Sequence, residues 1–389
     1  MNEAFHDSGH DSSHDNKHTA HGLGLDPVEP DWPALREAEV AALLERYPGL
    51  GGVQAIAWHS PRPFSAAARV AVGDSQVIVK RHHHSVRQPT WLDEEHRFVQ
   101  HLHQRGAPVT PPLRDRDGQS AVGLGDWTYE VLPLGQGEDL YRDALSWSPF
   151  ASSAHARAAG VALGELHRAA EGHAAGTRQT PVLVANLQLF SQPDPLRAIA
   201  AQAERQPQLA LSLARRDWQR DITETLLPFH RAVQPRLAAQ APLWTHNDWH
   251  ASNLLWQGDK VASVLDFGLA DRTFALFDLA TAIERNCIPW LDLQPGARLE
   301  VDHDALLALL DGYGSIRPLG RDELLTLADL LPLVHADFAL SELVYFESLV
   351  GSNASGDLAY AYLVEHARWF QQHEGAELLE QLRQQARRA

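Results

Sequence analysis

The stretch that decides the fold is "LWTHNDWHASNLLW", residues 243–256. His246, Asp248, His250 and Asn253 fall within eight positions, and the apolar residues on either side read as two short buried strands. Burying a carboxylate costs on the order of several kcal/mol unless a partner offsets it, so Asp248 calls for a functional explanation. Downstream, "VASVLDF" (261–267) reads as a third strand and carries Asp266-Phe267-Gly268, which begins 13 residues after Asn253. Either element alone is weak, because an Asp near an Asn more often marks a turn. Together, in this order and between apolar strands, they are specific.

Asp-x4-Asn, a strand and then Asp-Phe-Gly is the layout of a kinase catalytic loop and metal-binding loop. Phosphoryl transfer needs one carboxylate near the attacking hydroxyl, which suits Asp248. It also needs oxygen ligands for Mg²⁺, which suits Asn253 and Asp266. Two further parts should lie upstream. "QVIVK" alternates as a strand and ends in Lys80, the only lysine between Lys17 and Lys260 in a chain with just three. That rarity favours a phosphate-binding lysine over a solvated strand end. A helix follows from about Thr90, where "TWLD" resembles a capping box. On it Glu95 is centred on an apolar stripe of Trp91, Leu92, Phe98, Val99 and Leu102, so it needs a buried cation, and Lys80 is the expected partner. Glu94 has Arg97 and His101 on its side and reads as surface.

With these residues in place, "HNDWHASNLLW…VLDFGLADRTFALFDLA" resembles the phosphotransferase enzyme family, which includes aminoglycoside phosphotransferases, choline kinases, homoserine kinase type II and stress-response kinase A. The motif has the form H-x-D-x-H-x-x-N, so His246 and His250 match it. The similarity spans about residues 50–285. It implies an α+β, protein-kinase-like bilobal fold, with a small N-terminal lobe of antiparallel sheet plus helix and a larger, mainly helical C-terminal lobe. It further implies ATP or GTP in the cleft, its adenine edge against the interlobe backbone near Glu130, Val131 and Leu132. Asp278 would cap the helix after the metal loop and support the catalytic loop, with His246 and His250 in supporting roles. One departure stands out: the phosphate-covering loop, near "SPRPFSAAARV" (60–70), has no glycine, leaving the small residues Ser65 to Ala68 to let backbone approach phosphate.

Outward from the motif, residues 27–132 read as the nucleotide-binding lobe and 133–389 as the catalytic and acceptor-binding lobe. Residues 1–26 are polar, with His6, His10, His14 and His18 at every fourth position, and read as a solvated disordered tail before they read as a metal stripe. A net charge of −17 argues against nucleic acid or an anionic membrane as partner and suits a cationic small molecule. No uncharged apolar run approaches the ~18 residues of a membrane span, and the single Cys287 fits the reducing cytoplasm.

The leading expectation is therefore an ATP- and Mg²⁺-dependent kinase of a hydroxyl on an amino sugar, amino alcohol or sugar. Two alternatives remain open: an atypical protein Ser/Thr kinase of the stress-response type, and a nucleotide-binding module without turnover. Oligomeric state is not legible. In "HADFALSELVYFESL" (335–349), Asp337, Ser341 and Tyr345 share a helical face with Glu342 and Glu347 nearby. It reads first as a solvated acidic face and second as an amine-binding one. Trp147 and Trp290 are candidate pocket walls. His82 to His84 read as a polar loop, and His167 as a satisfied core histidine.

Overall fold

The computed structural model describes residues 30–60, 64–293 and 298–389. The His-rich tail lies outside the described residues, as do three positions of the loop assigned to cover phosphate. An opening helix, α1 (Glu37–Leu44), is followed by β1 (Val53–His59), β2 (Ala66–Val72), β3 (Ser75–His83), α2 (Pro89–Gln104), β4 (Val122–Leu124) and β5 (Trp127–Pro133). The five strands form an antiparallel sheet in the order β1-β2-β3-β5-β4. Alternation fixes the two faces of this sheet. Val70, Val72, Val77, Val79 and Val131 pack with Val40, Leu43 and Leu44 of α1, so α1 covers one face. Lys80 projects from the other, toward α2.

Three local readings change. The capping box at Thr90 does not form, because α2 starts one residue earlier with Pro89 in its first turn and Gln88 as cap. His82 and His83 belong to β3 rather than to a loop. Of the small residues assigned to the phosphate loop, Ala66 to Ala68 are already in β2.

The remainder is mainly helical: α3 (Ser153–Ala170), α4 (Pro195–Arg205), α5 (Pro207–Leu213), α6 (Trp218–Thr225), α7 (Leu227–Leu237), α8 (Ala275–Cys287), α9 (His303–Gly314), α10 (Arg321–Leu330), α11 (Ala336–Val344), α12 (Asn353–Trp369) and α13 (His373–Arg388). Between α7 and α8 lie β6 (Pro242–Thr245), β7 (Leu254–Gln257), β8 (Lys260–Val264) and β9 (Asp271–Phe274), paired β6–β9 and β7–β8. Helices α3 and α9 touch backbone to backbone through glycine. A Cβ on Gly160 would sit 2.2 Å from the Leu309 carbonyl oxygen, and one on Gly312 would sit 2.0 Å from that of Arg157. Only glycine permits this approach. The stretch Arg321–Val350 is long and apolar enough to cross a membrane, but it is packed inside the helical part as core.

Candidate active site

The apolar flanks of the opening stretch become β6 and β7, and the polar residues between them form a loop pinned from two sides. From behind, Asp278 in the first turn of α8 accepts the backbone N–H of His246 (2.8 Å) and of Asn247 (2.8 Å), while His167 of α3 bonds its Oδ2 at 3.0 Å. Asp278 is fully buried. Burial alone would raise its pKa, yet His167 and His246 hold it below the usual carboxylate value. His167 is the satisfied core histidine expected, its other nitrogen bonded to the Tyr313 hydroxyl at 2.9 Å. From the front, His246 Nε2 meets the Leu265 carbonyl at 2.8 Å, and Leu265 N–H donates to the Asn253 carbonyl at 2.8 Å. These two bonds lock the segment carrying Asp248 to the segment carrying Asp266.

The third strand stops at Val264, two residues short of Asp266, which adopts a positive φ of 56°. Few non-glycine residues adopt that conformation, and strain of this kind concentrates at functional sites. It turns the Asp266 carboxylate to Lys80, 3.1 Å away. Burial favours neutral forms of both groups, but each holds the other charged: Lys80 lies above its ordinary pKa and Asp266 below. Asp248 is near enough for its charge to oppose ionisation of Asp266. The Asp266 side chain keeps 43 % of its accessible surface and so remains open to a ligand.

Asp248 is fixed through both oxygens. Arg285 of α8 bonds Oδ1, and Asn253 Nδ2 donates to the Asp248 carbonyl (3.0 Å) and to Oδ2 (3.3 Å). His250 Nε2 lies 3.6 Å from Oδ1, with its Nδ1 on Ser252 at 2.9 Å. Burial would raise this carboxyl, but Arg285 and then His250 hold it well below the usual range.

The sequence model of the phosphotransferase enzyme family matches residues 62–319. The chain belongs to that family. The homoserine kinase of Methylobacillus flagellatus is 26% identical to it over 274 residues, covering 70% of this chain and 74% of its own length. The homoserine kinase of Methylobacterium radiotolerans is 28% identical over 255 residues, covering 64% of this chain and 67% of its own length. Among solved structures, an amicoumacin kinase in complex with AMP-PNP, Ca²⁺ and Ami superposes with a TM-score of 0.55 at 16% identity, over 84% of this chain and 91% of that one. An aminoglycoside phosphotransferase from Alicyclobacillus acidocaldarius gives 0.51 at 17%, over 92% and 98%. These likenesses establish a protein-kinase-like phosphotransferase fold.

Two expectations about the family's nucleotide residues need correction. Glu95 does not pair with Lys80. Its carboxylate is 3.1 Å from the Arg178 guanidinium, which also donates to the Gly268 carbonyl at 2.8 Å. Thus Glu95 ties α2 to the loop that follows Asp266 through Arg178, and it reaches Lys80 only as a nearby charge. Glu130 and Leu132 are not at the linker. They sit inside β5, opposite Lys80 and Ile78 of β3, and the chain leaves the sheet only after Pro133. The Glu130 carboxylate lies among His82 (3.2 Å), His96 (3.0 Å) and the Lys80 charge.

The donor set suits a hard divalent cation. Asp266 and Asn253 supply oxygens only, and Asn253 turns its amide nitrogen to Asp248, leaving Oδ1 to serve. Sequence reasoning missed Arg285, Asn286 and Arg178. Asn286 accepts from Ala251 N–H and donates to the Trp249 carbonyl, both at 2.9 Å, so it holds the loop that carries Asp248. A charged Glu284-Arg285 pair in a mainly apolar helix was the available signal.

Proposed function

We propose that the chain transfers the γ-phosphoryl group of ATP to a hydroxyl of a small molecule. The observation carrying this reading is that Lys80 meets Asp266 and Asn253 meets Asp248, from three separate segments, with Asp248 and Asp266 near enough for their charges to oppose each other. In this reading Lys80 holds the α/β phosphates, and the Asp266 and then the Glu130 charges beside it keep its ammonium charged. Asn253 and Asp266 would hold Mg²⁺, which neutralises phosphate charge when bound. Asp248, kept ionised by Arg285, orients the acceptor hydroxyl and takes up its proton as transfer proceeds. Positioning and charge placement carry the rate, since phosphoryl transfer asks for little covalent chemistry from protein. Relatives named for homoserine and amicoumacin support a compact hydroxylated acceptor. We place the reaction in the cytoplasm, where ATP is supplied and a lone buried thiol such as Cys287 stays reduced.

The test compares Asp248→Ala with Asp266→Ala across a panel of hydroxylated metabolites, reading ADP release and nucleotide affinity. Asp248→Ala should lower turnover by roughly 10²–10⁴-fold with nucleotide affinity nearly intact. Asp266→Ala should weaken Mg-nucleotide binding as well. Wild-type activity in both variants would overturn the assignment.

A further inference from the structure

The acidic face of α11 is not solvated, contrary to its first reading: Asp337, Glu342 and Tyr345 are all buried. Asp337 accepts the backbone N–H of Leu189 (2.7 Å) and Phe190 (3.3 Å), and Ser341 accepts that of Val184 (3.0 Å). These bonds fasten the segment after α3 to the helical part, and that segment offers two of its carbonyls to a residue from the sheet side. Arg87, in the turn between β3 and α2, is 4 % exposed. Its Nη1 donates to the carbonyls of Val86 (2.9 Å) and Val182 (3.0 Å), and its Nη2 to those of Leu183 (3.0 Å) and Gly268 (3.0 Å). One guanidinium thus joins the β3–α2 turn to two separate segments of the helical part.

A second cation arrives at the same oxygen. Arg178 Nη1 donates to the Gly268 carbonyl at 2.8 Å. Two like charges converging on one buried acceptor are not explained by stability, since burying a guanidinium is costly even when it is paired. Burial and then the Arg178 charge push the Arg87 pKa down to about 9, against the opposing charges of Glu95 and Asp266. What the convergence secures is orientation. A carbonyl oxygen has two lone pairs, and with a guanidinium on each side the peptide after Gly268 is held against rotation. The N–H of Gly268 points the other way, to Asp266 Oδ1 at 3.3 Å, the oxygen that also meets Lys80. Asp266 Oδ2 has no hydrogen-bond partner among the described residues. Both segments that Arg87 grips in the helical part contain a strained position, Leu183 at φ 51° and Asp266 at φ 56°. Such conformations persist only where the surroundings over-determine them.

We propose that Arg87 is a positioning residue for Asp266: by holding the Gly268 carbonyl from the β3–α2 turn, it aims the Asp266 carboxylate at a divalent cation. This deepens the kinase reading above and rests on it. Arg178 holds the same oxygen from the helical part, so the clamp is complete only while the sheet is seated against residues 182–183. Movement of the sheet away from that segment withdraws Arg87, loosens the loop behind Asp266 and lowers its hold on the cation. Cation binding and the seating of the sheet are therefore linked through one side chain.

The experiment uses the full chain with ADP as the probe. Calorimetry reads ADP binding with Mg²⁺ and with a chelator in its place, and Mn²⁺ serves as a paramagnetic stand-in whose free fraction is read by electron spin resonance. Arg87→Met should weaken the divalent cation in the ternary complex by about 10–100-fold, the scale of removing a group that orients a metal ligand. Metal-free ADP should bind as it does to the wild type, which a merely structural loss would not spare. Arg87→Lys keeps the charge but lacks the planar fork that spans four carbonyls, so it should show the same selective loss in smaller degree. It is the deciding variant if Arg87→Met does not fold. Wild-type cation affinity in a folded variant, or an equal loss of metal-free and metal-bound ADP, would overturn this inference and leave the kinase reading standing. Failure of the wild type itself to bind ADP, with or without the cation, would remove both.

Discussion

Asp278 offers the sharpest test of how the loop carrying Asp248 is held. Its fully buried carboxylate accepts three hydrogen bonds, from His246 N–H, Asn247 N–H and His167. Bonds to a charged acceptor contribute about 1.5–3 kcal/mol each, but the three share one group and are not additive. Asp278→Ala should therefore cost about 4–6 kcal/mol of a total near 5–15 kcal/mol, leaving two backbone donors and an imidazole unsatisfied. Asp278→Asn, which keeps one carbonyl oxygen, should cost roughly half as much. Urea denaturation gives the measurement, with a lower midpoint and an unchanged slope. The pH dependence supplies an independent check. Because the folded pKa is depressed, the contribution is complete above the unfolded value of about 3.9 and is lost as pH falls through the lower folded value. Wild-type stability should drop below about pH 4, and Asp278→Asn should lose less over that range. A loss under about 1 kcal/mol in Asp278→Ala, with turnover intact, would refute the idea that this carboxylate organises the loop.

Other perturbations probe the links around the cleft. Arg178→Met strands Glu95 without its cation and should destabilise by about 3–5 kcal/mol in urea titration, with the double variant carrying Glu95→Gln recovering part of that loss. Lys80→Met should weaken ATP binding in calorimetry while leaving the unfolding free energy from urea titration within about 1 kcal/mol of wild type. Burial raises the Asp31 pKa to about 6, against the opposing hydrogen bond from Tyr345, so ionisation disfavours its docked position. The docking penalty is absent at low pH and grows as pH rises through about 6. Hydrogen exchange at residues 31–36, corrected for intrinsic rates, should thus be faster at pH 8 than at pH 5. Asp31→Asn should abolish the difference.

The legible parts of this protein were those where chemistry and local pattern coincide along the chain. Asp248, Asn253 and Asp266 could be read because apolar strands frame them at fixed spacing, and Lys80 because it ends an alternating strand in a chain poor in lysine. Periodicity also identified Glu95 as a buried acid. It could not name the partner, because Arg178 arrives from a segment 83 residues away that carries no periodic signal. The linker was placed too early for a different reason: its position near Glu130 came from the family resemblance, whereas the pairing with β3 continues β5 to Pro133. Strand β9 opens on Asp271 and Arg272 and so lacks the apolar run that marks β6 and β7, which are equally short. The acidic residues of α11 misled most. A charge on a helix defaults to solvent when no partner is visible nearby, and the partners of Asp337 are the backbone N–H groups of Leu189 and Phe190, distant in sequence. Once those partners are known, each buried charge on α8 and α11 can be asked which neighbour satisfies it. Asp278, Asp337 and Arg285 have answers within the fold, and Glu342 does not.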